Sequence, residues 1–159
     1  MNGAVISPAV IEGNGDLEPN GKVNTQYVAG LIDGEGTVTY LPRKSVKGNI
    51  SYALIVDVSN TNRTVLEALK AKYGGSISVT KRAPPCKTCY TWRVQSRLAL
   101  RVLEEVFPYL IVKKKQAEIL IPHCRAKRRN AGGKRRPREF WEKERAIRQT
   151  IRSLNKRGV

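Results

Sequence analysis

The sequence predicts an α+β protein in which helices cover one face of a single antiparallel sheet. Two features predict this class. Segments with the alternating apolar and polar pattern of β-hairpins occur twice, and segments with a helical apolar period precede, separate and follow them. The predicted order is αββαββα with an extra helix after it. With 159 residues, of which 40% are hydrophobic, the chain can form one domain with a sizeable core.

The first helix is predicted over Thr25–Glu35, which overlaps the nine-residue segment VAGLIDGEG. Asn24 is a good N-cap, and Gly36 is a good residue to end the helix. Glu35 then lies at the C-terminal end, where the helix dipole opposes a carboxylate. A bound cation nearby would offset this cost.

A first hairpin is predicted directly after this helix. Apolar and polar residues alternate on both sides of a turn-like segment at residues 44–49, and Pro42 indicates an edge strand or a frayed strand end. The residues expected to face the core are Val38, Tyr40, Tyr52, Leu54, Val56 and Val58. The opposite face is mixed and is expected to be exposed.

The rest of the core repeats this pattern. A helix with an apolar stripe follows the capping residues 60–62 and ends at a Gly-Gly pair. Ser96 is a candidate cap of the next helix, Pro108 ends it, and an amphipathic helix starts near Lys113. The inward residues of the second hairpin are expected to be Ile77, Val79, Trp92 and Val94.

The charge of this chain is unusual. Thirty Lys and Arg against 13 Asp and Glu give a net charge of +17, which indicates a polyanionic partner, most often nucleic acid. Residues 1–36 carry a net charge of −4, whereas the remainder carries +21. The polar strand face holds one acid, Asp57. A curved ribbon of such strands can enter a DNA major groove, although an ordinary solvated face shows the same pattern.

Composition divides the chain into three parts. Residues 1–23 are rich in Gly, Pro and Asn and are expected to form an extended arm. Residues 24–124 form the core, and residues 125–159 form a basic loop and helix with a net charge of +11. Pro137 is expected to open that final helix. The residues at helical spacing that would pack it on the core are Phe140, Ile147, Ile151 and Leu154.

With its nine-residue motif followed by ββαββα, the core resembles the LAGLIDADG homing endonucleases. VAGLIDGEG departs from the signature at Val28, Gly34 and Glu35, with residues of kinds that the family accepts. A second similarity is the segment PYL at residues 108–110, followed by Lys113 and the pair QA at 116–117. The resemblance covers roughly residues 24–124 and implies the homing-endonuclease fold.

The resemblance implies a site-specific endonuclease, encoded by a mobile intron, that makes double-strand breaks in DNA. Because the motif occurs once, it implies a homodimer with the motif helices packed at the two-fold axis and a long, nearly palindromic target. Gly30 and Gly34 support this independently, since they are four apart and leave a helix face that close packing would fill. The predicted interface residues are Ala29, Gly30, Asp33 and Gly34. The alternative is a basic protein of the same fold that binds RNA, such as an intron maturase.

Hydrolysis of a phosphodiester in this family requires a divalent cation, and oxygen ligands suit Mg²⁺. By resemblance, Glu35 and the backbone carbonyl of Gly34 bind the metal. Lys113 corresponds to the lysine near the active-site water, the alternative being one more phosphate-binding lysine. Asn60 corresponds to a residue that orients solvent, the alternative being a helix cap. The residues expected to read DNA are Thr39, Leu41, Arg43, Lys47, Ser51, Ala53, Asp57, Ser78, Thr80, Arg82 and Arg93.

Three cysteines give no disulfide framework. Cys86 and Cys89 form a CxxC motif between the predicted third and fourth strands, and a zinc site with His123 and Cys124 can be written. Zinc is not expected, because the hairpin tip should point away from His123; free thiols or a disulfide at the tip are the alternatives. The sequence shows neither a secretory signal nor an apolar run long enough to cross a membrane. We therefore expect no membrane partner and an intracellular location, in a prokaryotic cytoplasm or an organelle.

Overall fold

The computed structural model describes residues 23–44, 46, 48–81, 83–129 and 136–156. The expected N-terminal arm therefore falls, apart from residue 23, outside the described residues. Two predicted DNA-reading residues, Lys47 and Arg82, also lie outside them. None of the helices in the described ranges is long and apolar enough to span a bilayer.

The described elements follow the predicted order. They are α1 (Thr25–Glu35), β1 (Gly36–Lys44), β2 (Ile50–Asn60), α2 (Arg63–Tyr73), β3 (Ser76–Thr80), β4 (Cys89–Gln95), α3 (Arg97–Val106), a 3₁₀ turn (Phe107–Tyr109), α4 (Lys114–Arg129) and α5 (Arg138–Leu154). The α+β class and the αββαββα order are confirmed, as are the two further helices α4 and α5. The helix α4 runs past residue 124, so the boundary drawn from composition falls inside it.

The four strands form one antiparallel sheet in the order β1-β2-β4-β3. In register, Val38 of β1 lies opposite Val56 of β2, and Val58 of β2 lies opposite Trp92 of β4. The strands β1 and β3 are therefore the edges, and β2 and β4 are interior. The edge position that Pro42 indicated is confirmed.

The core lies between the helices and one face of this sheet. Tyr40, Leu54, Val56 and Trp92 are almost fully buried there, as the alternation predicted. Val79 is 50% exposed, so its predicted inward burial is wrong. It lies near the end of edge strand β3, where the sheet receives less cover from neighbouring elements.

The helix α1 ends in the C-cap residue Gly36 because the backbone of Ile32 lies too close for a side chain there, and not because the position needs a left-handed backbone conformation. Asn24 accepts a hydrogen bond from the amide of Tyr27 at 2.7 Å, as an N-cap does. Gly36 has an extended backbone with φ −90° and ψ 166°. A Cβ at Gly36 would lie 2.6 Å from the carbonyl oxygen of Ile32, so glycine is needed where the helix turns into β1.

The start of α1 is fixed by a partly buried carboxylate on α3. Glu105 Oε1 accepts hydrogen bonds from the hydroxyls of Thr25 and Tyr73, each at 2.9 Å, and forms an ion pair with Lys72 at 2.9 Å. Burial raises the pKa of Glu105, but the hydrogen bonds from Lys72, Thr25 and Tyr73 more than offset it and lower that pKa. The first helix is thus tied to α2 and α3.

A sequence-predicted cap fails on α3. Ser96 occupies the N-cap position, but its side chain makes no capping hydrogen bond and its φ is 52°. Its backbone amide donates instead to the carbonyl of Leu54 at 2.7 Å, which holds the turn against β2. The helix is stabilised by its buried apolar face rather than by a side-chain cap.

Candidate active site

Glu35 is the last residue of α1, and its side chain is exposed. Within the described residues its carboxylate has neither a hydrogen bond nor an ion pair. No group of three His, Cys, Asp or Glu side chains in those ranges is arranged to hold a metal ion. Among the described residues of this helix end, Glu35 is thus the carboxylate without a partner, and it lies beside the exposed Gly34.

Asp33 connects this helix end to the segment before α4. Its carboxylate accepts hydrogen bonds from three consecutive amides, those of Ile111 at 2.7 Å, Val112 at 3.2 Å and Lys113 at 2.9 Å. These amides begin the turn that leads into α4, where a negative charge is favourable. Asp33 thus connects α1 to the start of α4 within the chain.

The same connection positions Lys113. Its Nζ donates to the backbone carbonyl of Asp33 at 2.8 Å, so the ammonium group lies against the last turn of α1. That carbonyl is among those left without an intrahelical partner at a helix end. The structure therefore brings together the C-terminal turn that carries Glu35 and the lysine that was predicted to serve the same site.

Asn60 lies at the end of β2 and is part of a local turn. Its Oδ1 accepts from the amide of Asn62 at 2.8 Å, and Asn62 in turn caps α2 by accepting from the amide of Thr64 at 3.0 Å. The capping role considered for Asn60 thus belongs to Asn62. The amide nitrogen of Asn60 keeps two donors for other partners.

The predicted reading face is the sheet surface opposite the helices. Ala53 is an exception, with 6% exposure. It lies on the interior strand β2 directly opposite the larger Leu41. The Ala53 methyl group is therefore almost covered in the single chain. The described residues of this set that are at least partly exposed are Thr39, Leu41, Arg43, Ser51, Asp57, Ser78, Thr80 and Arg93.

Two of these residues are paired with each other. The guanidinium of Arg93 donates to both carboxylate oxygens of Asp57, at 2.6 and 2.8 Å. The two residues face each other across β2 and β4, and this hydrogen bonding raises the pKa of Arg93. A bidentate pair is the strongest form of this interaction, so Arg93 is already engaged.

The predicted interface residues of α1 differ in exposure. Ala29 is fully buried against the core of its own chain. Gly30 and Gly34 are exposed, and a Cβ at either position would meet nothing within 4 Å. The open side of the helix is therefore the one that carries the two glycines.

A buried polar cluster on the helix side of the sheet was not predicted. Glu144 of α5 is fully buried and accepts hydrogen bonds from Tyr40 at 2.7 Å and Lys127 at 2.7 Å, with His123 Nε2 at 2.6 Å. We call these four residues the Glu144 cluster. Burial opposes ionisation, but the bonds from His123, Lys127 and Tyr40 lower the pKa of Glu144 to about 2. Burial and the bond to Glu144 raise the pKa of Tyr40.

The cysteines are free thiols in this structure. Cys86 is exposed, whereas Cys89 and Cys124 are partly buried. Burial raises the pKa of Cys124 to about 11, so its thiol is neutral near pH 7. His123, which a zinc site would require, has its Nε2 in the Glu144 cluster.

Together these features define an α+β architecture with a carboxylate and a lysine at one helix end. The sequence matches no protein-family model and no curated protein. The structure is similar to I-Vdi141I, an archaeal intron-encoded homing endonuclease complexed with DNA, with a TM-score of 0.63, 19% identity and coverage of 85% of this chain and 86% of that one.

Two further solved structures give the same result. The homing endonuclease I-CvuI, complexed with DNA, matches with a TM-score of 0.62, 17% identity and 85% coverage of each chain. The homing endonuclease I-TnaI matches with a TM-score of 0.62, 18% identity and coverage of 86% of this chain and 91% of that one. This chain has the LAGLIDADG homing-endonuclease fold, which confirms the resemblance drawn from VAGLIDGEG.

Proposed function

We propose that this chain is one half of a homodimeric, site-specific endonuclease that makes double-strand breaks in DNA with the help of a divalent cation, Mg²⁺. The observation that carries the proposal is the end of α1. There the exposed carboxylate of Glu35 has no partner in the described residues, and Asp33 and Lys113 hold the adjoining segment against the same turn. The sequence contains this motif once.

Binding to DNA is supported by charge, surface and fold. The chain has a net charge of +17, and a sheet face with polar and basic side chains lies opposite the helices. The similar structures of I-CvuI and I-Vdi141I are complexes with DNA. We infer that the exposed side chains of the reading face contact base edges, and that the long target is nearly palindromic because two copies bind it.

A homodimer is supported by what one chain lacks. Within the described residues a single chain offers one acidic ligand at this helix end, and two copies would offer two. The chain covers 46% of the longer I-SmaMI, whose remaining length has room for a second unit of this size. The exposed side of α1 at Gly30 and Gly34 permits a second helix to approach closely.

In the proposed site, Glu35 and the carbonyl of Gly34 would hold the cation. An oxygen-only donor set with an unpaired carboxylate fits Mg²⁺, which when bound activates water and stabilises charge on the phosphate. Lys113 supplies a positive charge toward the phosphate oxygens, and the amide of Asn60 would orient a water molecule. Asp33 is a positioning residue, since it fixes the segment that presents Lys113.

The direct test is cleavage of the intronless DNA that spans the insertion site of the reading frame. We expect the purified chain to make a double-strand break in Mg²⁺, to stop when EDTA is added and to resume when Mg²⁺ is restored. The same DNA carrying the insertion is the control and should remain intact, because the target is interrupted. Cleavage that continues in EDTA, or an intact intronless substrate in Mg²⁺, would contradict the proposal.

The dimer can be tested separately with Gly30→Leu. The new side chain has open space within its own chain, so the fold should be retained, and leucine favours the helix by up to about 1 kcal/mol over glycine. The wedge between the two helices should convert the dimer to a monomer and abolish cleavage. Analytical ultracentrifugation measures the oligomeric state, thermal melting shows whether the fold is retained, and the cleavage assay measures activity. Ala146→Leu, at an exposed position of α5, is the control. A Gly30→Leu protein that remains dimeric would refute the proposed interface.

A further inference from the structure

The helix α5 presents a row of arginines that the proposed active site does not use. Arg145, Arg148 and Arg152 recur at intervals of three and four residues, which places them on one side of the helix. We call these three residues the arginine row. Trp141 precedes them on the same side. Between the described residues there is neither an ion pair nor a hydrogen bond to any of the three guanidinium groups.

Other arginines of the described residues are held by carboxylates, whereas the row places three without such a partner on successive turns of one helix. Arg93 pairs with Asp57, Arg125 with Glu104 and Arg138 with Glu142. Unpaired arginines on adjacent turns repel one another, and this cost is recovered when an anion lies across them. A row of this kind is suited to a polyanion.

The position of α5 places the row beside the edge strand β1. Glu144 hydrogen-bonds to Tyr40 in the middle of β1, and Asn155 Nδ2 donates to the carbonyl of Val38 at 2.8 Å. At the other end of the helix, Trp141 and Arg145 line a hollow with residues 48–50 of the β1–β2 turn. The helix therefore follows β1 from the hairpin end back toward the end of α1.

The opposite flank of α5 faces the protein. Ile147 packs against the core, and the ring of Phe140 lies 6.0 Å from Nζ of Lys127 on α4. The arginine row lies on another side of the helix, where its three residues line a hollow with Tyr52 of β2. Arg145 and Arg152 are exposed there, and Arg148 is partly buried.

We propose that the arginine row binds consecutive phosphates of duplex DNA along the border of the groove that the reading face enters. Arg145 to Arg152 spans about 10 Å, which matches about three phosphates on one strand along the duplex axis. This inference rests on the proposed DNA-binding function and adds a surface outside the sheet. Phosphate contacts of this kind set affinity and register rather than sequence preference.

The test is the salt dependence of binding to a 30-bp DNA duplex of arbitrary sequence. Replacement of all three arginines by alanine should lower the slope of log affinity against log salt by about 2.7 for each chain, since each lost phosphate contact removes about 0.9. The triple replacement by lysine keeps the charges and should retain the slope. A matched control, Lys70→Ala with Arg97→Ala and Arg101→Ala, removes the same charge from exposed positions on α2 and α3 and should change the slope little.

Several results would overturn the inference. One is an unchanged slope for the duplex in the alanine triple variant. A second is an equal fall in the control triple variant. A third is a loss of slope that appears only with a 30-nucleotide single-stranded RNA. The failure of the proposed function is distinguishable, because cleavage is tested through Glu35, which lies outside the row. Thermal melting of each variant establishes that the fold is retained.

Discussion

Replacing Glu35 with glutamine is expected to abolish DNA cleavage while leaving DNA affinity unchanged. Glutamine has the same shape but cannot supply the negative oxygen that a hard cation requires, so cleavage should fall by roughly a thousandfold or more. Because the carboxylate has no partner in the described residues, no internal contact is lost. Its removal from a helix C-terminus should even stabilise the protein slightly, by about 0.3–1 kcal/mol.

The measurement compares single-turnover cleavage, a gel shift on the same duplex and the melting temperature. Glu118→Gln is a matched control, because it removes a carboxylate from an exposed position on the neighbouring α4. That variant should cut like the wild type. A Glu35→Gln protein that cuts at the wild-type rate would remove Glu35 from the active site, whatever the other assignments.

Replacing Glu144 with alanine is expected to cause the largest loss of stability of any single change considered. The substitution leaves the ammonium of Lys127 and the hydroxyl of Tyr40 without their buried acceptor. Breaking one side of a buried pair costs roughly 3–5 kcal/mol, equivalent to roughly 6–20 °C in melting temperature for a chain of this size. Glu142→Ala on the exposed face of α5, whose pair with Arg138 is solvent-accessible, should cost less than about 1 kcal/mol.

The contribution of Glu144 should also depend on pH in a defined direction. Its pKa is lowered from 4.5 to about 2 in the folded protein, so the stabilisation is complete above pH 4.5 and is lost as the pH falls toward 2. The difference in unfolding free energy between wild type and Glu144→Gln should therefore shrink from pH 7 to pH 3 in urea titrations. A difference that stays constant across this range would show that the charge of Glu144 contributes nothing.

Much of the fold could be predicted because it depends on local patterns. The bounds of α1, the two hairpins and the apolar residues around Trp92 follow from periodicity and capping residues alone. Burial was misjudged where it depends on neighbours. Ala53 is covered by residues from outside its own strand, and Val79 is exposed because β3 is an edge. Strand order is a property of the folded chain, and alternation along one strand does not contain it.

The candidate site shows the same division. Glu35 and Lys113 were named through motifs, but the clamp by Asp33 joins residues 78–80 positions apart and has no sequence signature. The Glu144 cluster was missed because a glutamate in a basic tail resembles a surface residue. One signal was present: Glu144 lies three and seven residues before Ile147 and Ile151, in the apolar stripe predicted for the last helix.

The pair of Asp57 and Arg93 gives the reading face an internal competitor. Any external acceptor must displace a carboxylate that already holds the guanidinium in a bidentate geometry at 2.6 and 2.8 Å. A strongly basic protein binds any DNA duplex without regard to sequence. The longer it stays bound at incorrect sites, the more slowly it finds its target. A masked arginine shortens those encounters, because it becomes available only to a partner that offers more than the carboxylate does. In the proposed function, the carboxylate of Asp57 would therefore favour rapid release from incorrect sequences at the expense of binding strength.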